Sequence, residues 1–279
     1  MGLVHVIGAS GRSGGALCRV LGDRAVPVVR EAARWGGPGS ARVADLEGGG
    51  MAEALRDAEV VVCCAHARHI PAVLRAAPAG ARFVFLGSTR KFTRWPDAHG
   101  EGVKAGEAAF LGSGRGGMLL HPTMIYGAEG EDNVQRLAAL LRRLPFVPLP
   151  GGGRALVQPV HQGDLTRCIL AAVERGGPGA EAIVVAGPRP LPYRDFVLAV
   201  ARAAGLAPPR IVGVPPALLM MAAPLTLLPG LPRVRGAEIR RLLEDKDFDI
   251  SAMRGRLGVT PVSLDEGLAL TFAKAAACP

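Results

Sequence analysis

The residues that most restrict what this chain can become are its first fifteen, MGLVHVIGASGRSGG. A short apolar run, Leu3 to Ile7, meets Gly8, Gly11 and Gly14 in the pattern G-x-x-G-x-x-G, and a helix is expected from about Gly14. A strand that breaks at a glycine turn and feeds a helix builds an anion site. The glycines let the backbone approach a pyrophosphate closely, and the helix N-terminus supplies N–H groups and the positive end of a dipole. With 38 glycines in the chain, the spacing alone would arise by chance. Its position directly after a β-like run gives it meaning.

Beyond the glycine turn the chain alternates between apolar runs and helical segments. Ala25 to Arg30 reads as a second strand, and ARVADLEGG as a short one ending at Asp45-Leu46. Glu59 to His66, Ala81 to Thr89 and Gly116 to Gly127 are apolar runs suited to strands covered on both faces. A helix with proline in its first turn, Pro71 to Ala77, separates two of them. This alternation predicts an α/β fold, a Rossmann-type doubly wound parallel sheet. In such a sheet the residue ending the second strand faces the adenosine ribose, where an acid would repel a 2′-phosphate. Here that residue is Arg30, and Arg12 stands in the glycine turn, so two guanidinium groups favour NADP(H) over NAD(H). The plainer alternative is a pair of solvated arginines in an arginine-rich chain.

The chain has 279 residues, enough for one large domain with a smaller one. Its net charge of +9 is carried almost wholly by arginine, since lysine occurs only at Lys91, Lys104, Lys246 and Lys274. That charge favours anionic ligands. The arginines are scattered and aromatic residues make up 4%, which argues against nucleic acid as a partner. Five cysteines without a C-x-x-C imply neither a disulfide framework nor a zinc site, and Cys63 and Cys64 read as buried small residues. No basic segment with an apolar signal core precedes the first strand, so a reducing, cytoplasmic setting is expected.

Further on, Asn133 to Leu144 has helical spacing, GGG at 151–153 is a loop, and a helix starts at Gly163 and stops at Gly176. EAIVVAG is a strand, and helices are expected in PYRDFVLAVARAAG and VSLDEGLALTFAKAA. The stretch 211–232 is uncharged but divided by prolines, too short between them to span a bilayer. It reads as a buried lid or pocket wall. The alternative is contact with a protein partner or a membrane surface, which an exposed apolar patch would support.

Taken in order, GASGRSG, the Asp45-Leu46 pair, FLGST, HPTMIYG, PLPGGG, PVHQGDL and RPLPYRDF span nearly the whole chain. In this order they resemble the extended and atypical short-chain dehydrogenase/reductases, in particular the NAD-dependent epimerase/dehydratase group. HPTMIYG followed by GGG and PVHQGDL is most similar to the branch containing the NADPH-binding accessory subunit of respiratory complex I. The resemblance implies a dinucleotide-binding domain over 1–188, with 128–160 contributing to the substrate side. It also implies a smaller, mostly helical C-terminal domain over 189–279 that takes a small-molecule substrate or a protein partner. It places Gly8, Ser10, Gly11, Arg12, Ser13 and Gly14 around the pyrophosphate, Asp45 and Leu46 by the adenine, Ala65 at the adenine-side ribose, and Pro122 and Thr123 near the nicotinamide.

The family's chemistry uses a tyrosine acid/base in Y-x-x-x-K, whose lysine lowers the tyrosine pKa and holds the nicotinamide ribose, with a Ser or Thr on the preceding strand. Lys104 matches the lysine, and Ser88 and Thr89 match the hydroxyl, but Gly100 stands where the tyrosine belongs. Neither of the two tyrosines, Tyr126 and Tyr193, precedes a lysine at that spacing. His66 and His121 are the candidate substitutes, since histidine titrates in the right range; each could equally be a packed, hydrogen-bonded side chain. His66-x-x-His69 lacks a third ligand in the sequence, so no metal is expected. Two readings therefore stand. One is an NADP(H)-dependent oxidoreductase or epimerase on a nucleotide sugar or similar polar compound, with a non-standard proton donor. The other is a non-catalytic NADP(H)-binding protein with a structural, assembly or redox-sensing role.

Overall fold

The computed structural model describes residues 2–127, 133–144, 146–222 and 236–276. In chain order the first half comprises β1 (Val4–Ile7), α1 (Arg12–Leu21), β2 (Ala25–Val29), β3 (Arg42–Val43), α2 (Met51–Ala54), β4 (Val60–Cys63), α3 (Ile70–Ala76), β5 (Arg82–Leu86), α4 (Ala98–Leu111), β6 (Gly117–Pro122) and β7 (Ile125–Tyr126). The second half comprises α5 (Asn133–Leu141), β8 (Phe146–Pro150), β9 (Leu156–Val157), β10 (Val160–His161), α6 (Gln162–Arg175), β11 (Ala180–Val185), β12 (Leu191–Pro192), α7 (Tyr193–Ala203), β13 (Arg210–Val214), α8 (Pro216–Ala222), α9 (Gly236–Arg241), α10 (Ser251–Leu257) and α11 (Leu264–Ala276).

Seven strands form one sheet in the order β11-β6-β5-β4-β1-β2-β3, every neighbouring pair parallel. Order runs outward both ways from β1, which makes the sheet doubly wound. Successive residues of each strand serve opposite faces. Val4, Val6, Val62, Val84, Met118 and Leu120 pack with Leu17, Ile169 and Met253, from α1, α6 and α10. Ile7, Val61, Cys63, Phe83, Phe85 and Leu119 pack with Val73, Val103 and Phe110, from α3 and α4. Both faces are covered, which explains the continuous apolar runs.

A third core lies beside the sheet. Tyr126, Val134, Leu149, Val157, Phe196, Val200 and Leu268 join α5, β8, β9, α7 and α11. Gln158 ties it to the main body: its amide nitrogen donates to the carbonyls of Gly187 (2.8 Å) and Phe248 (3.2 Å), and its Oε1 accepts the Phe248 N–H at 2.8 Å. All its polar atoms are used, so its burial carries no unpaired group.

Several boundaries differ from the sequence reading. Helix α1 starts at Arg12, two residues early, because Gly11 already turns the chain. Strand β2 ends at Val29, so Arg30 lies just beyond it. Strand β3 stops at Val43, and Asp45 instead closes a tight turn with Gly49. Strand β4 ends at Cys63, and His66 begins the short helical turn Ala67–His69 rather than closing the strand. The run 116–127 is two strands, β6 and β7, in different sheets. The buried reading of 211–232 fails in its described part, since Val212 is 40%, Leu218 56% and Met221 77% exposed. Residues 223–232 lie outside the described residues. No helix among the described residues is long and apolar enough to cross a membrane.

Candidate functional site

The C-terminal ends of the central strands open into a chain of clefts. Gly8 leaves β1 at φ +78°, a left-handed conformation that L side chains rarely adopt. Its carbonyl accepts the Gly11 N–H at 2.9 Å, and its N–H donates to Val28 at 3.1 Å, which holds the turn against β2. Helix α1 has no side-chain cap at its N-terminus, so its first turn presents backbone to the cleft.

Three spaces meet at this turn. One of about 320 Å³ is lined by Gly8, Ser10, Arg30, Asp45, Leu46 and Ala65 among others. A second, about 400 Å³, shares Ser10 and Arg34 and adds Gly11, Arg12 and Trp35. The third, about 500 Å³, runs past Gly11, Arg12, Ser13 and Gly14 to Cys64, Ser88, His99, Pro122, Thr123, Asn133 and Gln162. Ser13 Oγ donates to Gln162 Oε1 at 3.0 Å, joining the glycine turn to the start of α6. A fourth space of about 270 Å³ shares Ser88 and Thr123 and reaches Arg241, Glu244 and Lys246. Glu244, 7% exposed, accepts from the Thr93 hydroxyl and the Arg94 N–H, which fixes this wall.

The residues singled out from the sequence separate into two groups. Gly8, Ser10, Gly11, Arg12, Ser13, Gly14, Arg30, Asp45, Leu46, Ala65, Ser88, Pro122 and Thr123 all line these spaces, and Thr89 lines the fourth. Arg30 brings an acid with it: Glu31 stands 3.5 Å from its Nε and 3.1 Å from that of Arg34. Ser88 Oγ accepts the Arg90 N–H at 3.1 Å, Thr89 Oγ1 donates to Pro122 O at 3.3 Å, and Thr123 Oγ1 donates to Gln158 O.

Lys104, His66 and His121 take other places. Lys104 lies on the half-exposed face of α4, its Nζ 2.9 Å from Glu101, and lines none of the clefts. His121 is 1% exposed on the α4 side of β6. Its Nδ1 accepts the Ser88 N–H at 3.2 Å, so the neutral ring carries its proton on Nε2, which stands 3.3 Å from Glu107 without hydrogen-bond alignment. Glu107 pairs in turn with Lys91. Burial, then Lys91, hold the His121 pKa down to about 4 against the opposing pull of Glu107. His121 therefore supports the Ser88 loop from behind. His69 faces Glu47 at 3.8 Å on the space lined by Asp45 and Leu46, away from any third ligand, and among the described residues no cluster suited to a metal occurs.

His99 was missed in the sequence. It sits in the first turn of α4, which Asp97 caps by accepting the Gly100 N–H at 2.8 Å, and it lines the same space as Ser88 and Thr123. The ring of His66 meets it edge to face, centroids 4.3 Å apart at 88°. His66 Nδ1 accepts the Arg68 N–H at 3.0 Å. The readable signal was the capping aspartate in WPDAHGEG. In a parallel α/β sheet the N-terminus of such a helix lies at the C-terminal edge of the strands, which carries His99 to the cleft.

No protein-family model matches the chain, and no curated protein matches it. Solved structures do match over its whole length. MoeE5 in complex with UDP-glucuronic acid and NAD is 19% identical with a TM-score of 0.76, and 100% of each chain is covered. The UDP-glucuronic acid 4-epimerase of Bacillus cereus in complex with NAD is 14% identical, TM-score 0.74, covering 98% of both. The UDP-glucose 4-epimerase of Thermotoga maritima with UDP-glucose is 16% identical, TM-score 0.72, covering 98% of this chain and 99% of that one. At these identities the likeness establishes the Rossmann-type α/β fold.

Proposed function

We propose that this chain is a dinucleotide-dependent oxidoreductase or epimerase of the epimerase/dehydratase type, acting on a nucleotide sugar or similar polar compound, with NADP(H) preferred and a proton donor other than tyrosine. The observation that carries the reading is the continuity of the clefts. The glycine turn and the bare N-terminus of α1 lie between an adenine-sized space and a polar space walled by Ser88, His99 and Thr123. The similar structures named above hold NAD or UDP-sugars in this fold, which supports the same reading.

The residues fit a dinucleotide. A Cβ at Gly14 would lie 2.2 Å from the Gly8 carbonyl oxygen, so only glycine lets helix and turn pack closely enough to form the anion cradle. In this reading Gly8, Ser10, Gly11, Ser13 and Gly14 hold the pyrophosphate. Asp45, Leu46 and Ala65 border the adenosine, and Arg12 and Arg30 favour a 2′-phosphate. Pro122 and Thr123 wall the nicotinamide side. When bound, the nicotinamide supplies a two-electron hydride acceptor and donor. Ser88, its Oγ already accepting from Arg90, keeps its hydroxyl hydrogen for a substrate oxygen. Lys104 holds the nicotinamide ribose only if its pairing with Glu101 is given up.

The second reading, a non-catalytic NADP(H)-binding protein like the accessory-subunit branch, draws on one observation. Gly100 stands where the tyrosine belongs, and Tyr126 is buried in the third core against His161. Calorimetry with NAD+, NADH, NADP+ and NADPH, followed by turnover assays on a panel of UDP-sugars, read at 340 nm for net oxidation or reduction and by chromatography of the sugar nucleotides for epimerisation, separates the two. Binding with turnover supports the first reading. Binding without turnover supports the second, and no binding refutes both.

A further inference from the structure

We propose that His99 takes and returns the proton in this cleft, in place of the tyrosine phenol, with His66 as its positioning residue. The inference rests on the dinucleotide reading above. Its first support is location. The wall shared by Ser88, Pro122 and Thr123 includes three side chains that can ionise: Arg12, Cys64 and His99. Arginine does not give up its proton in proteins. Burial pushes the Cys64 thiol far up, out of the working range. Of the other histidines, His121 is sealed behind the Ser88 loop and His69 lines the space on the Asp45 and Leu46 side. Within that wall, among the described residues, His99 is the one imidazole.

Its second support is orientation. The T-shaped contact with His66 fixes one face of the His99 ring. His66 is itself held by the Arg68 N–H on Nδ1, which leaves the proton of its neutral form on Nε2. The groups facing His99 are His66, Arg90, Asp97 and Arg241. Arg90 Nε lies 2.8 Å and an Arg241 nitrogen 3.8 Å from Asp97 Oδ2, so two cations surround one carboxylate beside the ring. Burial, then Arg90, lower the His99 pKa, and the N-terminus of α4 adds to the effect. His99 is therefore neutral at pH 7 and ready to act as a base.

The balance is simple. A substrate secondary alcohol loses hydride from carbon to the oxidised nicotinamide and its hydroxyl proton to a neutral His99 nitrogen. The C–H and O–H bonds break and a C=O bond forms, leaving a ketone, the reduced dinucleotide and an imidazolium. On return, hydride goes back to the carbon and the imidazolium, an acid stronger than ordinary histidine, gives its proton to the oxygen. One residue thus serves both halves of an oxidation–reduction cycle.

The test begins with calorimetry of NAD+ and NADP+ binding. If neither binds, the dinucleotide reading falls and this inference falls with it. With binding established, the histidine ring signals are titrated by NMR with and without saturating dinucleotide, and His99 is assigned from the signal missing in His99→Gln. The expected result is a His99 signal that shifts on binding and titrates at lower pH with oxidised than with reduced dinucleotide, because the oxidised ring is cationic. A His99 signal that titrates identically in all states overturns the proposal even though the dinucleotide binds. For any UDP-sugar turned over by the natural chain, His99→Ala is expected to lose ~10²-fold or more and to recover part of that loss in added imidazole. Full turnover by His99→Ala overturns the proposal.

Discussion

The Gly8 carbonyl oxygen occupies the space that a side chain at Gly14 would need, 2.2 Å from the ideal Cβ position. The near atoms are backbone, which cannot swing aside as a flexible side chain would. Gly14→Ala must therefore push α1 away from the turn. The expected outcome is a loss of dinucleotide affinity of about tenfold or more, with destabilisation of about 1–3 kcal/mol. Calorimetry and thermal melts measure both. Gly15→Ala is the control, since its nearest neighbour is the Ala9 carbonyl at 3.3 Å, where a few tenths of an ångström suffice. Equal effects from the two variants would remove the close approach as the cause.

The proposed preference for a 2′-phosphate rests on Arg30, whose neighbour Glu31 also faces Arg34. Arg12 and Arg30 border the two spaces that share Ser10. Replacing both with alanine is expected to weaken NADPH binding by about tenfold or more while changing NADH binding little, since charge-assisted contacts to a phosphate are each worth ~1.5–3 kcal/mol. Glu31→Gln is expected to move NADPH binding the opposite way by relieving repulsion. Parallel losses for NADPH and NADH in the double variant would refute the assignment.

Much of this arrangement was legible in the chain. The glycine turn, the apolar runs of β4, β5 and β6, and the alternation with helices placed the sheet, because a strand buried on both faces is mostly apolar. The residues that line the clefts came with it, since they lie at or near strand ends whose order the fold dictates. Side-chain direction on helices was the weak point. Lys104 matched a family motif, but a helix turns by about 100° per residue, and the match could not tell whether the lysine faced the cleft or water. His121 could not be told from a cleft residue, because strand alternation assigns it to the α4 side only once the β6 register is known. The stretch 211–232 lacked any periodicity that distinguishes a buried wall from the exposed Leu218 and Met221.

The Lys104 pairing leads to a result opposite to the family expectation. Its side chain is 48% exposed and its ammonium is engaged with Glu101 one helical turn back. Such pairs contribute about 0.3–0.5 kcal/mol. Lys104→Ala is thus expected to leave dinucleotide affinity within about twofold, a difference of about 0.4 kcal/mol, and to leave the melting temperature nearly unchanged. A loss of affinity of about tenfold would mean that the lysine turns into the cleft on binding.

The buried His121 predicts a specific loss of stability in acid. Its folded pKa, about 4, lies below the 6.5 of an unfolded chain. Between those values the unfolded state binds a proton that the folded state refuses, so stability is complete above pH 6.5 and declines as pH falls towards 4. Below that the folded state is protonated as well and this contribution stops changing. His121→Asn offers an acceptor to the Ser88 N–H and does not titrate. Its melting temperature is expected to fall less steeply than that of the natural chain between pH 6.5 and 4. His5, also buried with a lowered pKa from burial and Arg42, remains in both proteins and leaves a common residual slope. Identical slopes would mean that His121 reaches water, or is already charged, in the folded protein.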